Sequence, residues 1–274
     1  MLFLAEEIVM DLSQLSRTAI LTLICRAVEA EKNKSEFNDP MAILCLERLI
    51  SMASEEEKRW IIKKKRTYEG IQEPHAKAGA LRAKEFDNVT NRFIADNPHC
   101  TVINLACGFD TRFWRIKNDK CNFIELDLPD VIQLKKEIFQ DQLAYEMIGS
   151  SVLDTSWIDK ITKKGNVNFL LLAEGLVMWL PKPEAIRLFK EIGERFTRSQ
   201  LVLDTVREKY LHGLWKFFIG LETKLDWGLD VAWTFGVKDS RDIEAYGNGL
   251  KVIGEVKLKE AAGPIITVSI NATD

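Results

Sequence analysis

Long apolar runs are missing from this 274-residue chain, and none reaches the ~20 residues that a membrane-spanning helix needs, so no membrane partner is expected. Positive charge is not in excess either. The 38 Lys and Arg against 41 Asp and Glu leave a net charge of -3, which gives no electrostatic reason to expect nucleic acid. The run Lys63-Lys64-Lys65-Arg66 reads as a solvated helix face. Cysteine is sparse: Cys25, Cys45, Cys100, Cys107 and Cys121 are odd in number, and no two are spaced for metal or redox chemistry. Free thiols point to a reducing compartment, and Glu6, Glu7 and Asp11 without a basic leader argue against a secretory signal, so a cytoplasmic location is expected. Repeats and low-complexity segments are also absent.

What is present divides near residue 98. From Glu6 to Glu31, Ile8, Leu12, Leu15, Ala19, Leu23 and Ala27 recur at three- and four-residue spacing, a helical stripe. Further helical segments are expected over Pro40–Met52 and Glu55–Tyr68, with turn chemistry between Lys32 and Pro40. Residues 1–98 are therefore expected to form a helical cap, and residues 99–274 a second unit. In that unit short apolar runs alternate with amphipathic helices, the mark of parallel strands joined by crossovers. Strands are expected at 101–106, 122–127, 144–150, 168–173 and 201–204, with helices at 130–140 and 182–197. The runs 250–258 and 265–270 are joined by a hairpin-length connection, an antiparallel ending for a mostly parallel sheet. An aromatic-rich helical insert is expected at about 208–240.

In open α/β sheets ligands sit at the carboxyl ends of the strands. The first strand runs into the small-residue turn Ala106-Cys107-Gly108, over which a ligand can approach the backbone closely. The second ends about twenty residues on in Asp127, the position from which such a sheet presents a carboxylate to ribose hydroxyls. Ser151 and Val152 follow the third strand and are expected to flank an adenine. Glu174, directly after Phe169–Ala173, is a carboxylate at the end of a buried strand and calls for a cationic partner. Each feature has a structural reading as well. Small residues also permit close packing, Asp127 before Leu128-Pro129 also starts a turn, and backbone amides also satisfy a glutamate.

Three phrases, Val102–Arg112, Glu125–Pro129 and Ala173–Leu180, together with Arg17-Thr18-Ala19, Arg26–Glu29 and Asp39–Ala42, resemble the leucine carboxyl methyltransferase family, small-molecule polyketide O-methyltransferase branch of the tetracenomycin type. The resemblance implies an α/β class I methyltransferase (Rossmann-like) fold, with a seven-stranded, mostly parallel sheet, an antiparallel C-terminal hairpin and an N-terminal helical cap. It also implies S-adenosylmethionine as cofactor and O-methyl transfer to a carboxylate or hydroxyl of a small-molecule acceptor. Arg82 matches the family's arginine for the cofactor carboxylate, a task suited to a bidentate guanidinium. Glu174 is then expected to meet the cofactor's ammonium. A protein C-terminal carboxyl methyltransferase and a non-catalytic cofactor-binding homologue remain the alternatives.

Two departures stand out. Ala106 replaces a family glycine, and a methyl there costs about 1 kcal/mol if the residue takes a positive φ. Trp179 replaces a common tyrosine, keeping an aromatic wall but changing its polar atom. Trp179, Trp227 and Trp233 are candidate acceptor-pocket residues, with core packing as the other reading of the insert's aromatics. His75, His99 and His212 lie outside the motifs, so no catalytic base is assigned.

Overall fold

The computed structural model describes residues 17–116, 119–163, 168–224, 232–259 and 262–271. Four helices precede the first strand: α1 (Arg17–Ala30), α2 (Pro40–Met52), α3 (Glu55–Glu69) and α4 (Glu73–Asp96). Their limits follow local chemistry. Asp39 caps α2 by accepting the Ala42 amide at 3.0 Å ahead of Pro40, whose missing N–H costs nothing in a first turn. Ser54 and Glu57 form a reciprocal capping box on α3. The buried stripe Ala76, Ala80 and Ala83, with Gly79 beside it, keeps one face of α4 nearly flat. A Cβ at Gly79 would stand 3.0 Å from that of Cys25, so α1 and α4 pack almost backbone to backbone. The expected start of α1 at Glu6 lies outside the described residues.

The sheet follows as β1 (Thr101–Leu105), β2 (Asn122–Asp127), β3 (Glu146–Gly149), β4 (Phe169–Ala173), β5 (Ser199–Asp204), β6 (Leu250–Lys257) and β7 (Pro264–Ile270). Its order is β3-β2-β1-β4-β5-β7-β6, with β7 antiparallel to both neighbours and the other pairings parallel. The seven strands and the antiparallel ending match the sequence expectation. Central β1 and β4 are buried at every position because helices cover both faces. Edge strand β6 instead alternates half-buried and exposed positions after a buried Leu250, and its outward Lys251 and Lys257 discourage pairing with another chain. β3 is shorter than the expected 144–150.

Helices α5 (Arg112–Ile116), α6 (Pro129–Phe139), α7 (Ser156–Thr162), α8 (Lys182–Arg195) and α9 (Gly213–Glu222) connect the strands. Pro181 caps α8 and Pro183 sits in its first turn, where a missing N–H costs nothing. A two-residue parallel pair, Val206–Arg207 with Gly236–Val237, closes the base of the insert that carries α9, a feature with no clear sequence pattern. No helix among the described residues is long and apolar enough to cross a membrane.

Candidate functional site at the carboxyl edge of the sheet

Strand register brings the expected residues into one row. Leu105 pairs with Leu126, Asn104 with Leu172, and Ala173 with Leu203. One step beyond those pairs, Asp127, Ala106, Glu174 and Asp204 leave β2, β1, β4 and β5 side by side. Both Ala106 (φ +50°) and Gly108 (φ +49°) take the left-handed conformation, so the chain turns sharply over the end of β1. The Gly108 amide donates to Asp127 Oδ2 at 2.6 Å, and the Leu128 amide to Oδ1 at 2.7 Å. A carboxylate has about four lone-pair sites, so these bonds aim Asp127 without saturating it. Burial raises its pKa, against the pull of the two amides.

Helix α1 packs on this turn. A Cβ at Gly108 would come within 3.0 Å of Ala19 Cβ, and a side chain there would be strained by φ as well. At Ala106 the methyl is retained at that conformational cost, the cost its identity implies at a positive φ. Ala106→Gly is expected to raise stability by about 0.5–1 kcal/mol, the left-handed penalty less the entropy of glycine; urea unfolding midpoints check it.

Glu174 obtains its cations from the protein. Arg82, from α4, donates through Nε to Oε1 at 3.0 Å, and Arg112, from α5, through Nη2 to Oε2 at 2.5 Å. Burial disfavours the charged carboxylate, yet Arg112 and Arg82 outweigh it and hold its pKa below the ordinary value. Arg112 is fully buried and also donates to Asp87 (2.7 Å) and Asp110 (2.5 Å). Arg115 bridges Asp87 and Asp39 at 2.6 Å each and Asp110 at 3.2 Å. Asp87 belongs to α4 and Asp39 caps α2, so the network ties the preceding helices to the loop after β1. Asn104 also donates to Asp110, at 2.9 Å.

The network has a pH consequence. Glu174 and Asp110 have depressed native pKa values, so the stability they contribute is complete above their ordinary values of about 4.5 and 3.8 and is lost as pH falls through the native ones. Asp127 and Asp204 are raised, and their protonation offsets part of that loss. Glu174→Gln is expected to start from a lower Tm than the wild type and to fall less steeply below pH 4.5, as read by melting from pH 6 to 3.

The remaining expected residues surround the row. The Ser151 hydroxyl accepts the Leu153 amide at 3.2 Å, and the Val152 carbonyl accepts the Trp157 indole N–H at 3.1 Å, which fixes the loop after β3. Val152 is buried and Ser151 half-buried. Trp179 and Trp233 meet edge to face with centroids 6.3 Å apart. Trp227 lies outside the described residues. On α9, Trp215, Phe217 and Phe218 are exposed, so the core-packing reading fails for these aromatics. His99 precedes β1 at the opposite edge, while His75 and His212 are exposed.

Asp87, Arg115 and Asp204 carry no expected role in the sequence, and Asp110 and Arg112 stand there only within the phrase Val102–Arg112. The available signal is Asp110-Thr111-Arg112 followed by Arg115, charge concentrated directly after a strand that is buried at every position, where burial demands partners.

The family model for leucine carboxyl methyltransferase matches residues 19–193, well over half of the chain. The chain belongs to the leucine carboxyl methyltransferase family. Within that range lie the first-strand turn, Asp127, Arg82 and Glu174. The tetracenomycin polyketide synthesis O-methyltransferase TcmP of Streptomyces glaucescens is 28% identical over 62% of this chain, and the match spans 61% of that relative's length. The S-adenosyl-L-methionine-dependent methyltransferase dpfgK of Gibberella zeae is 25% identical over 85% of this chain and 79% of its own. In structure, an O-methyltransferase family protein from Burkholderia thailandensis superposes with a TM-score of 0.52 at 12% identity, covering 96% of this chain and 97% of that one. That likeness concerns the fold, and agrees with the class I methyltransferase strand order of this family member.

Proposed function

We propose that this chain is an S-adenosylmethionine-dependent O-methyltransferase that acts on a carboxylate or hydroxyl of a small, polyketide-like acceptor. The observation that carries the reading is the row at the carboxyl edge, where Asp127 is aimed by the Gly108 amide and Arg82 stands beside Glu174. The donor set fits the cofactor. Arg82 Nη2 makes no hydrogen bond among the described residues, and it lies 3.6 Å from where a Cβ on Gly175 would be, so glycine leaves the guanidinium uncovered there. Asp127 retains lone pairs for ribose hydroxyls, and the loop Ser151-Val152 offers an apolar and a small polar residue to an adenine.

Bound S-adenosylmethionine supplies a methyl group already activated on sulfonium. The task left to the chain is to hold both reactants in line and keep water out. Arg82 would orient the amino-acid end, Asp127 the ribose, and α1, packed on Gly108, would shield the turn. Trp179 and Trp233 would form an aromatic wall on the acceptor side. No histidine stands at the row, which suits a carboxylate acceptor, since that is ionised at neutral pH and needs no general base.

The name of the Streptomyces glaucescens relative supports a polyketide-like acceptor. The test is incubation with S-adenosylmethionine and a panel of aromatic hydroxy acids, followed by mass spectrometry. A gain of one methyl that alkali removes marks an ester, and an alkali-stable gain an ether. If no acceptor is methylated although S-adenosylhomocysteine binds, a protein terminus or a non-catalytic role takes precedence. Trp233→Ala is expected to raise the acceptor KM severalfold and leave S-adenosylhomocysteine affinity unchanged.

A further inference from the structure

We infer that helix α9 docks on an anionic lipid surface, with its aromatic side seated at the level of the headgroups and below. Leu214 (74% exposed), Trp215 (55%), Phe217 (64%), Phe218 (57%) and Leu221 (41%) stand in solvent within one ten-residue helix. At 3.6 residues per turn the five share an arc of about 160°. No described residue of α9 is buried. Together the five offer roughly 600 Å² of apolar surface, the upper end of what a monomer leaves in water and a size that is commonly functional.

Area and charge choose the occupant. A second copy of this chain would bring the same stripe, and roughly 600 Å² is short of the ~800 Å² that each partner gives a standard interface. A bilayer sets no such minimum, since binding grows with each apolar group inserted. Between Glu208 and Lys224 three lysines face two glutamates, in a chain whose net charge is -3. Lys209 and Lys216 are exposed, while Glu208, next to Lys209, is held by Lys238 at 3.5 Å. Lys209 Nζ stands 4.9 Å from the centre of the Tyr210 ring, and Tyr210 meets Trp215 edge to face at 5.3 Å. One border of the stripe is thus a cation on an aromatic pair, which suits the headgroup level of an anionic layer, with Leu214, Phe217 and Phe218 reaching deeper. The expectation of no membrane partner rests on the lack of a spanning helix, and a helix lying in the interface needs only one apolar side.

The insert that carries α9 leaves the sheet after β5 and returns at Thr234, whose amide donates to the Met178 carbonyl at 2.8 Å, next to Trp179 and Trp233. Docking would therefore hold that aromatic wall near the layer in which an apolar acceptor dissolves. This consequence rests on the acceptor reading above, whereas the docking itself does not.

The test is cosedimentation of the full chain with vesicles of phosphatidylcholine alone and with vesicles in which about a third of the lipid is phosphatidylglycerol. Wild type is compared with Trp215→Ser/Phe217→Ser/Phe218→Ser and with Lys209→Glu/Lys216→Glu. The wild type is expected to bind the anionic vesicles about tenfold more tightly than the neutral ones. The serine variant should lose about tenfold or more on both. The glutamate variant should lose the preference for anionic lipid and keep its binding to neutral vesicles. All five substituted side chains are exposed, so both variants should melt and bind S-adenosylhomocysteine as the wild type does. Vesicle binding by a wild type that binds no S-adenosylhomocysteine would support the docking and count against the cofactor reading alone. No binding of the wild type at millimolar lipid, or equal binding by the serine variant, would overturn the inference. A wild type that light scattering shows to be a dimer, with a monomeric serine variant, would overturn it too, because the stripe would then join two copies of the chain.

Discussion

Replacing Arg112 by methionine is expected to destabilise the fold by about 3–5 kcal/mol, the cost of leaving buried charges without their partner. The side chain is fully buried and serves Asp87, Asp110 and Glu174 at once. Arg115 still reaches Asp87 and Asp110, and Arg82 still reaches Glu174, which keeps the loss from being larger. In a chain of this length that corresponds to a fall in Tm of about 10 °C. Arg112→Lys should recover only part of it, because one ammonium cannot span three carboxylates in a planar fork. A change below about 1 kcal/mol would show that the network does not clamp the helices to the core.

The second large effect concerns binding. Asp127→Ala removes the acceptor that the Gly108 and Leu128 amides share, and with it the carboxylate proposed for the ribose. Hydrogen bonds to a charged group contribute about 1.5–3 kcal/mol, so S-adenosylhomocysteine affinity should fall roughly 10- to 100-fold. Asp127→Asn, which preserves one acceptor, should fall between wild type and alanine. Calorimetric titration reads both. Equal affinity in all three proteins would remove Asp127 from the site.

Much of the fold was legible because its signals are local. The short runs of β1 and β4, the turn chemistry before Pro40 at α2 and the hairpin-length connection between β6 and β7 each show within a few residues. The row at the carboxyl edge was also legible, since strand ends followed by a small turn or an acid can be read in order. What the sequence did not disclose is pairing at a distance. Arg82 meets Glu174 and Asp204 from 92 and 122 residues away, and Arg112 meets Asp87 from 25. No periodicity records such contacts. Glu174 is one such case: Arg82 and Arg112 of the chain both reach it, and neither partner is announced by the residues around it. Ala106 shows the converse: a single residue identity foretold a cost, and the φ of +50° agrees.

The central claim is that the carboxyl edge binds S-adenosylmethionine. Thermal unfolding of the wild type with S-adenosylhomocysteine, and separately with NAD, tests it most directly. Ligand at 100 times its dissociation constant stabilises by about 2.7 kcal/mol, a rise in Tm of roughly 5–10 °C for a chain of this size. A rise with S-adenosylhomocysteine and none with NAD is the predicted result. No rise with S-adenosylhomocysteine at millimolar concentration, or a rise with NAD alone, would contradict it.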